Sequence, residues 1–230
     1  MSGPISVSVI IPVLNELYGL QKLLPELALI EELREIVVVD DGSVDGSTHF
    51  VASMAAENQN IVLVERQQKG IGSAVREGAK RSSSSHAIVM DGDGQHRTED
   101  LLRLISAYKS SPQTDTIVIG SRFLSTSSIN EFPVYRLGVS RLLNAILKLT
   151  VRNSTSDPLS GFFVAPLPLI SSTTTNGFKI LYELLLRSPD KPRVDVPIEF
   201  SGRLGGKSKA RLVELFELMS VAIFFYATKR

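Results

Sequence analysis

The sequence predicts an α/β fold, a mostly parallel sheet covered by helices on both faces, and two observations carry that expectation. Short apolar, β-branched runs alternate with longer stretches of helical leucine spacing, at the separation of βαβ units. Those runs also lack the apolar–polar alternation of a half-exposed strand, the pattern of strands buried on both faces. The chain has 230 residues, 43% hydrophobic and 21% charged, which suits one large domain with its own core. Its net charge of +1 gives no global field that would argue for a nucleic-acid partner. There is no cysteine, which excludes disulfides and thiolate metal sites. Met1-Ser2-Gly3-Pro4 carries neither a basic segment nor a long apolar run, so no signal peptide is expected. No stretch reaches the roughly 18 uninterrupted apolar residues of a membrane span, so the chain is expected to stay on the cytosolic side.

Taken in order, Val7–Ile11 reads as a buried first strand ended by Pro12. Glu16–Leu29 follows with Leu17, Leu20, Leu23, Leu24 and Leu27 at helical spacing. Glu35–Val39 is a second strand, Asp45–Asn58 a helix, Ile61–Val64 a third strand and Gly70–Lys80 a helix entered through glycines. Ala87–Met90 is the fourth strand, and Thr98 is the expected N-cap of a helix over Glu99–Tyr108. Thr116–Ile119 is the fifth strand; Ser82–Ser85 and Ser125–Ser128 read as loops. Beyond residue 122 the regularity loosens. Val134–Thr150 reads as a basic amphipathic helix, Gly161–Ala165 as a strand, Phe178–Arg187 as a helix and Val194–Phe200 as a strand. Ser201–Lys209 is a glycine-rich basic loop, and Ala210–Tyr226 an apolar helix carrying Glu214 and Glu217. The expected organisation is a catalytic domain over 1–209, with a nucleotide-binding half to about 122 and an acceptor half over 123–209. Residues 210–230 form a C-terminal apolar helix that meets a membrane interface or a partner.

The chemistry gathers at the strand ends. Met90-Asp91-Gly92-Asp93-Gly94-Gln95-His96 puts two carboxylates where open α/β sheets bind ligands. Hard divalent cations take oxygen ligands, and Mg²⁺ is commonly held by one or two carboxylates plus substrate phosphates. A metal–diphosphate site is therefore expected, against the simpler reading of a polar turn. His96 reads as a third ligand, a base, or an ordinary hydrogen-bonding residue. Glu16 either meets a nucleotide or complements a helix N-terminus. One of Asp40 and Asp41 accepts from a base or ribose, while Asp45 caps the next helix. Lys69-Gly70-Ile71-Gly72 lets a phosphate approach a helix N-terminus, or simply allows close helix–sheet packing. It is neither a Walker loop nor Gly-x-Gly-x-x-Gly. Arg122 grips phosphate bidentately or pairs with a local acid. Asp157 lies near the reacting centre or serves a turn, and Arg203, Lys207 and Lys209 close over a diphosphate or form a solvated face.

With these residues in hand, the chain resembles the family 2 glycosyltransferases of the GT-A fold, and within them the dolichol- (polyprenol-) phosphate mannose synthases. The pieces that carry the likeness run in family order over nearly the whole chain. They are Ile11–Glu16, Val39–Ser43, Lys69–Gly72, Met90–His96, Gly120–Arg122, Asp157–Phe163 and Gly205–Lys209. The resemblance implies that Pro12, Leu14, Glu16, Val39, Asp40, Asp41, Lys69, Asp91, Gly92, Arg203 and Lys209 bind the nucleotide sugar. It implies Asp91, Asp93 and Gln95 around Mg²⁺ or Mn²⁺, and Arg122, Arg136 and Ser140 on the acceptor phosphate. Asp93, Arg122 and Asp157 are the implied catalytic set. Gly92 stands where alanine is common, a small loosening, and Leu14 where relatives are often aromatic, which bears on base stacking.

The implied reaction is metal-dependent, inverting transfer of mannose from GDP-mannose to dolichyl or polyprenyl phosphate. The alternatives are a UDP-sugar donor, glucose or N-acetylglucosamine, or a non-catalytic sugar-nucleotide-binding subunit. A nucleotidyltransferase would carry a glycine-rich loop after the first strand, where Pro12–Glu16 stands instead. The implied location is peripheral, on the cytosolic face of a membrane, endoplasmic reticulum or plasma membrane, with a membrane-anchoring subunit as a candidate partner and no nucleic acid.

Overall fold

The computed structural model describes residues 7–68, 70–125, 147, 151, 155–177 and 179–199. The described strands are β1 (Val7–Val13), β2 (Leu33–Asp40), β3 (Ile61–Glu65), β4 (His86–Val89), β5 (Ile117–Ser121), β6 (Phe163–Pro166) and β7 (Arg193–Pro197). The described helices are α1 (Leu17–Leu27), α2 (Ser47–Glu57), α3 (Ile71–Arg81), α4 (Thr98–Lys109), α5 (Leu167–Ser171) and α6 (Ile180–Arg187). All seven strands join one sheet in the order β3-β2-β1-β4-β6-β5-β7. Every neighbouring pair recorded in register is parallel except β4–β6 and β5–β6, so β6 alone runs against the rest. The α/β class with a mostly parallel sheet therefore stands, and the sheet draws strands from both sides of residue 122.

Alternate residues of each strand feed opposite cores. Val9, Ile11, Ile36, Val38 and Ile88 meet α1 leucines and Leu101, Leu104 and Ile105 of α4 on one face. Ile10, Ala87, Val89 and Ile119 meet Val75 of α3, Ile170 of α5 and Leu181 of α6 on the other. Leu20, Leu23, Leu24 and Leu27 of α1 are all buried, as their helical spacing demands.

Two boundaries and one helix differ from expectation for physical reasons, while other element ends shift by one to three residues. Pro12 does not end β1, which runs on to Val13 in register with Asp40. The Ile10 carbonyl faces β4, where it accepts from the Met90 N–H at 3.2 Å, so by alternation the Pro12 nitrogen faces the same side. The β1–β4 ladder has already ended at Ile10, and the missing donor costs no bond. Thr98 is the first residue of α4 rather than its N-cap; Arg97 holds that position, and the Thr98 hydroxyl donates to Glu26. The helix α5 was not expected at all, because Pro166 and Pro168 mask a segment that proline only initiates. The expected helices Val134–Thr150 and Ala210–Tyr226 lie outside the described residues, Leu147 excepted, as does the loop Ser201–Lys209. No helix among the described residues is long and apolar enough to cross a membrane.

Candidate active site

The topology brings the sequence motifs to one edge. β1, β2, β3, β4, β5 and β7 all end there, and antiparallel β6 begins there, so the turn over residues 157–162 joins the same rim. Strand order reverses between β1 and β4, which makes the crevice between Pro12–Glu16 and Met90–His96 the switch point where such sheets bind ligands.

On the β2 side the carboxylates are engaged by their own chain. Asp40 is buried; its Oδ1 accepts from the N–H groups of Gly42 at 2.8 Å and Ser43 at 2.7 Å, and its Oδ2 from the Thr48 hydroxyl at 2.9 Å. Asp41 is paired with Arg66, Nε to Oδ1 at 2.5 Å and Nη2 to Oδ2 at 3.1 Å, and accepts from the Gly70 N–H at 3.1 Å. Arg66 was not singled out in the sequence, although its place one residue past β3 puts it on this rim. The N-cap of α2 is Gly46 rather than the expected Asp45, whose carboxylate just before it serves two helix starts: Oδ1 takes the Ser47 N–H of α2 and Oδ2 the Leu17 N–H of α1. Burial raises the Asp45 pKa, yet the Ser47 hydroxyl and the Leu17 and Ser47 amides outweigh it and hold the carboxyl below its ordinary range. Asn15, at φ 58°, locks the first loop to the second: its N–H donates to Ser43 Oγ and its Oδ1 accepts from Val44, both at 2.8 Å.

The loop after β4 is built differently. Asp93 is 2% exposed and its Oδ1 accepts the Gln95 N–H at 3.1 Å, a turn made by Gly94 at φ 75°. The Asp91 side chain is 42% exposed, and among the described residues it accepts no hydrogen bond. Gly19 of α1 presses on this loop so closely that a Cβ there would lie 2.2 Å from the Gly92 carbonyl oxygen. Gly92 itself sits against Ile11, Val13 and Leu20, which a Cβ would meet at 3.2 to 3.5 Å, so the expected loosening is a filled space. Two carboxylates at a strand end suit a hard divalent cation. Among the described residues no three His, Asp or Glu side chains converge on one point. Such an incomplete protein shell is the kind that substrate phosphates complete around Mg²⁺.

Across the crevice, Arg122 and Asp157 form a bidentate pair, Nε to Oδ2 at 2.8 Å and Nη2 to Oδ1 at 3.0 Å. Asp157 is wholly buried and the Arg122 side chain is 29% exposed. Burial works against the Arg122 charge, but Asp157 and then Asp91 more than offset it and raise the guanidinium pKa. The segment carrying Asp157 is fixed by Asp195 of β7, which accepts from Thr155 Oγ1 at 2.6 Å and from Ser156 N–H at 2.5 Å. Gly161 then lies against Asp91, where a Cβ would stand 3.1 Å from Oδ2.

Pro12, Leu14 and Glu16 are half-buried at the crevice rim, and the Glu16 N–H donates to Ser47 Oγ at 3.1 Å. The Val39 side chain is wholly buried and close to Gly78 of α3, so only its main chain can face a ligand. Lys69, Arg136, Ser140, Arg203 and Lys209 lie outside the described residues.

The sequence profile of glycosyl transferase family 2 matches residues 8–167. A dolichol-phosphate mannosyltransferase of Pyrococcus furiosus is 34% identical over 93% of this chain, which spans 61% of that relative's length. One of Saccharomyces cerevisiae is 31% identical, covering 89% of this chain and 81% of the relative. The solved glucosyl-3-phosphoglycerate synthase of Mycobacterium tuberculosis with Mn²⁺, UDP-glucose and phosphoglyceric acid superposes at TM-score 0.69 and 18% identity. That superposition covers 96% of this chain and 79% of the other, and at such identity it establishes the shared GT-A-like fold.

Proposed function

The chain belongs to glycosyl transferase family 2, and on that premise we propose that it moves a sugar from a nucleotide-sugar donor to a phosphate-bearing acceptor, with a divalent metal at Asp91 and Asp93. The observation that carries this reading is the pair of carboxylates at the switch point, facing the Arg122–Asp157 pair across one crevice. Asp91, Asp93 and Gln95 hold Mg²⁺ or Mn²⁺, which when bound offsets the charge developing on the leaving diphosphate. Pro12, Leu14, Glu16 and the Asp40–Asp41 turn shape the nucleotide side, with Lys69, Arg203 and Lys209 on the donor phosphates.

Arg122 receives the acceptor phosphate, with Arg136 and Ser140. Asp157 spends both oxygens on the guanidinium and fixes its plane, so it organises the site rather than acting as a base. No strong base is needed, because a phosphate acceptor is already ionised at neutral pH. One of its oxygens displaces the diphosphate at the anomeric carbon in a single step, with inversion.

Two donor–acceptor pairs have specific support. The named relatives from Pyrococcus and Saccharomyces support mannose on a dolichyl or other polyprenyl phosphate, a lipid acceptor that puts the work at a membrane surface and gives an anchoring subunit a role. The fold likeness to a synthase solved with UDP-glucose and phosphoglyceric acid supports a UDP-sugar and leaves a small phosphate acceptor in play. The test assays radiolabelled GDP-mannose and UDP-glucose in parallel against a short polyprenyl phosphate and 3-phosphoglycerate, with Mn²⁺ or EDTA, for wild type and Asp93→Ala. Metal-dependent product lost in the variant supports the site, and the productive pair names the substrates. No product from any pair overturns the reading.

A further inference from the structure

We infer that His96 is a positioning residue for Asp91, neither a metal ligand nor a base; the inference rests on the metal-site reading above. The His96 side chain is only 3% exposed, and its Nε2 stands 3.8 Å from Asp91 Oδ2. That distance is too long for a hydrogen bond and short enough to become one by a small turn of the half-exposed carboxylate. Its ring is stacked on Phe162, with centroids 4.5 Å apart and planes tilted by 34°. Phe162 is wholly buried, and Gly120 N–H donates to its carbonyl at 2.9 Å while its own N–H donates to Ser160 Oγ at 3.1 Å. The imidazole therefore has a rigid backstop built from β5 and the turn before β6.

Residues 161 and 162 thus grip both ends of one loop. Gly161 closes on the Asp91 carboxylate, where a Cβ would reach 3.1 Å from Oδ2, while Phe162 seats His96. Asp91 Oδ2 lies between the backbone of Gly161 and the edge of the imidazole, which limits where the carboxylate can point. Ligation by His96 would need it to converge with Asp91 and Asp93, and the described residues show no such convergence. What the ring can supply is direction. A nitrogen donor on one oxygen of a ligating carboxylate aims the other at the cation, and such outer partners typically govern metal affinity by about 10- to 100-fold.

The test separates the ring's packing from its Nε2. Mn²⁺ binding is titrated in the presence of GDP and, in parallel, UDP, for wild type, Asp93→Asn, His96→Phe, His96→Gln, His96→Asn and Phe162→Leu, with a thermal melt of each. Phenylalanine keeps the stack and loses the donor; glutamine carries its amide to the place of Nε2, and asparagine only to that of Nδ1. The expected result is about tenfold or greater weakening in His96→Phe and His96→Asn, with the Phe variant melting like wild type and His96→Gln recovered to within about threefold. Phe162→Leu moves affinity in the same direction. Equal affinity in His96→Phe and wild type overturns the inference, as does equal weakening in the Phe and Gln variants. Wild type binding Mn²⁺ no better than Asp93→Asn overturns the metal site itself, and the inference with it.

Discussion

Two acid-rich loops stand on the same rim with the loop after β1 between them, Asp40–Asp45 after β2 and Asp91–Asp93 after β4, and in sequence they look alike. In the fold they do opposite work. Asp40, Asp41 and Asp45 accept hydrogen bonds from Gly42, Ser43, Thr48, Arg66, Gly70, Leu17 and Ser47, so they hold two loops and two helix starts together. Asp91 stays half-exposed beside buried Asp93, on a loop pressed from behind by Gly19. The lesson is that a carboxylate's role follows from how many donors its own chain aims at it. The first loop builds the crevice and the second faces what enters it.

The sharpest way to break that comparison is Asp41→Ala. The pair it removes is buried, with side-chain exposures of 7% for Asp41 and 11% for Arg66, and its loss strands a buried guanidinium. A cost of about 3–5 kcal/mol is expected in denaturant unfolding. Asp93→Asn reverses the pattern: transfer falls on the order of 10²–10³-fold in the rate assay, while the unfolding midpoint stays close to wild type. A large stability loss in that variant would erase the distinction between the loops.

Asp45→Ala sharpens the same contrast at a smaller scale. Two helices lose a cap acceptor, so about 1–2 kcal/mol is expected from chemical denaturation, with turnover per folded molecule retained. The smallest effect lies at the opposite edge of the sheet, away from both loops. His86 is packed on Tyr108 and bonded through Nδ1 to Ser85 Oγ at 2.9 Å. Burial lowers its pKa, against the opposing pull of the Thr114 backbone and Asp115. The unfolded chain then takes up the proton first, so stability declines as pH falls below about 6.5 and levels off at the lower folded value. His86→Phe flattens that slope in melts taken between neutral and mildly acidic pH.

The same contrast explains what could be read in advance. Strands β1, β2 and β4 were legible because burial on both faces gives each a near-continuous apolar stretch. The direction of β6 was not, since Gly161–Ala165 shows a strand without showing which way it runs. Asp91 and Asp93 were legible as a pair because they sit two residues apart at a strand end. The Arg122–Asp157 pair spans 35 positions, and the two meet because antiparallel β6 begins at the rim where β5 ends. The structural partners of Asp40 and Asp41 were not legible, because a sequence shows a carboxylate but not the amides and the guanidinium aimed at it. Gly19 and Arg66 left no mark, since close backbone approach and a lone arginine past a strand have no pattern of their own.

The most direct measurement is the electron paramagnetic resonance signal of Mn²⁺ with nucleoside diphosphate, titrated with wild type, Asp93→Asn and Asp41→Asn and scaled to folded protein. Asp93→Asn is expected to lose the bound-metal signal while the folded fraction of Asp41→Asn keeps it. Loss of the signal in Asp41→Asn with retention in Asp93→Asn would contradict that expectation, and would move the metal to the other loop.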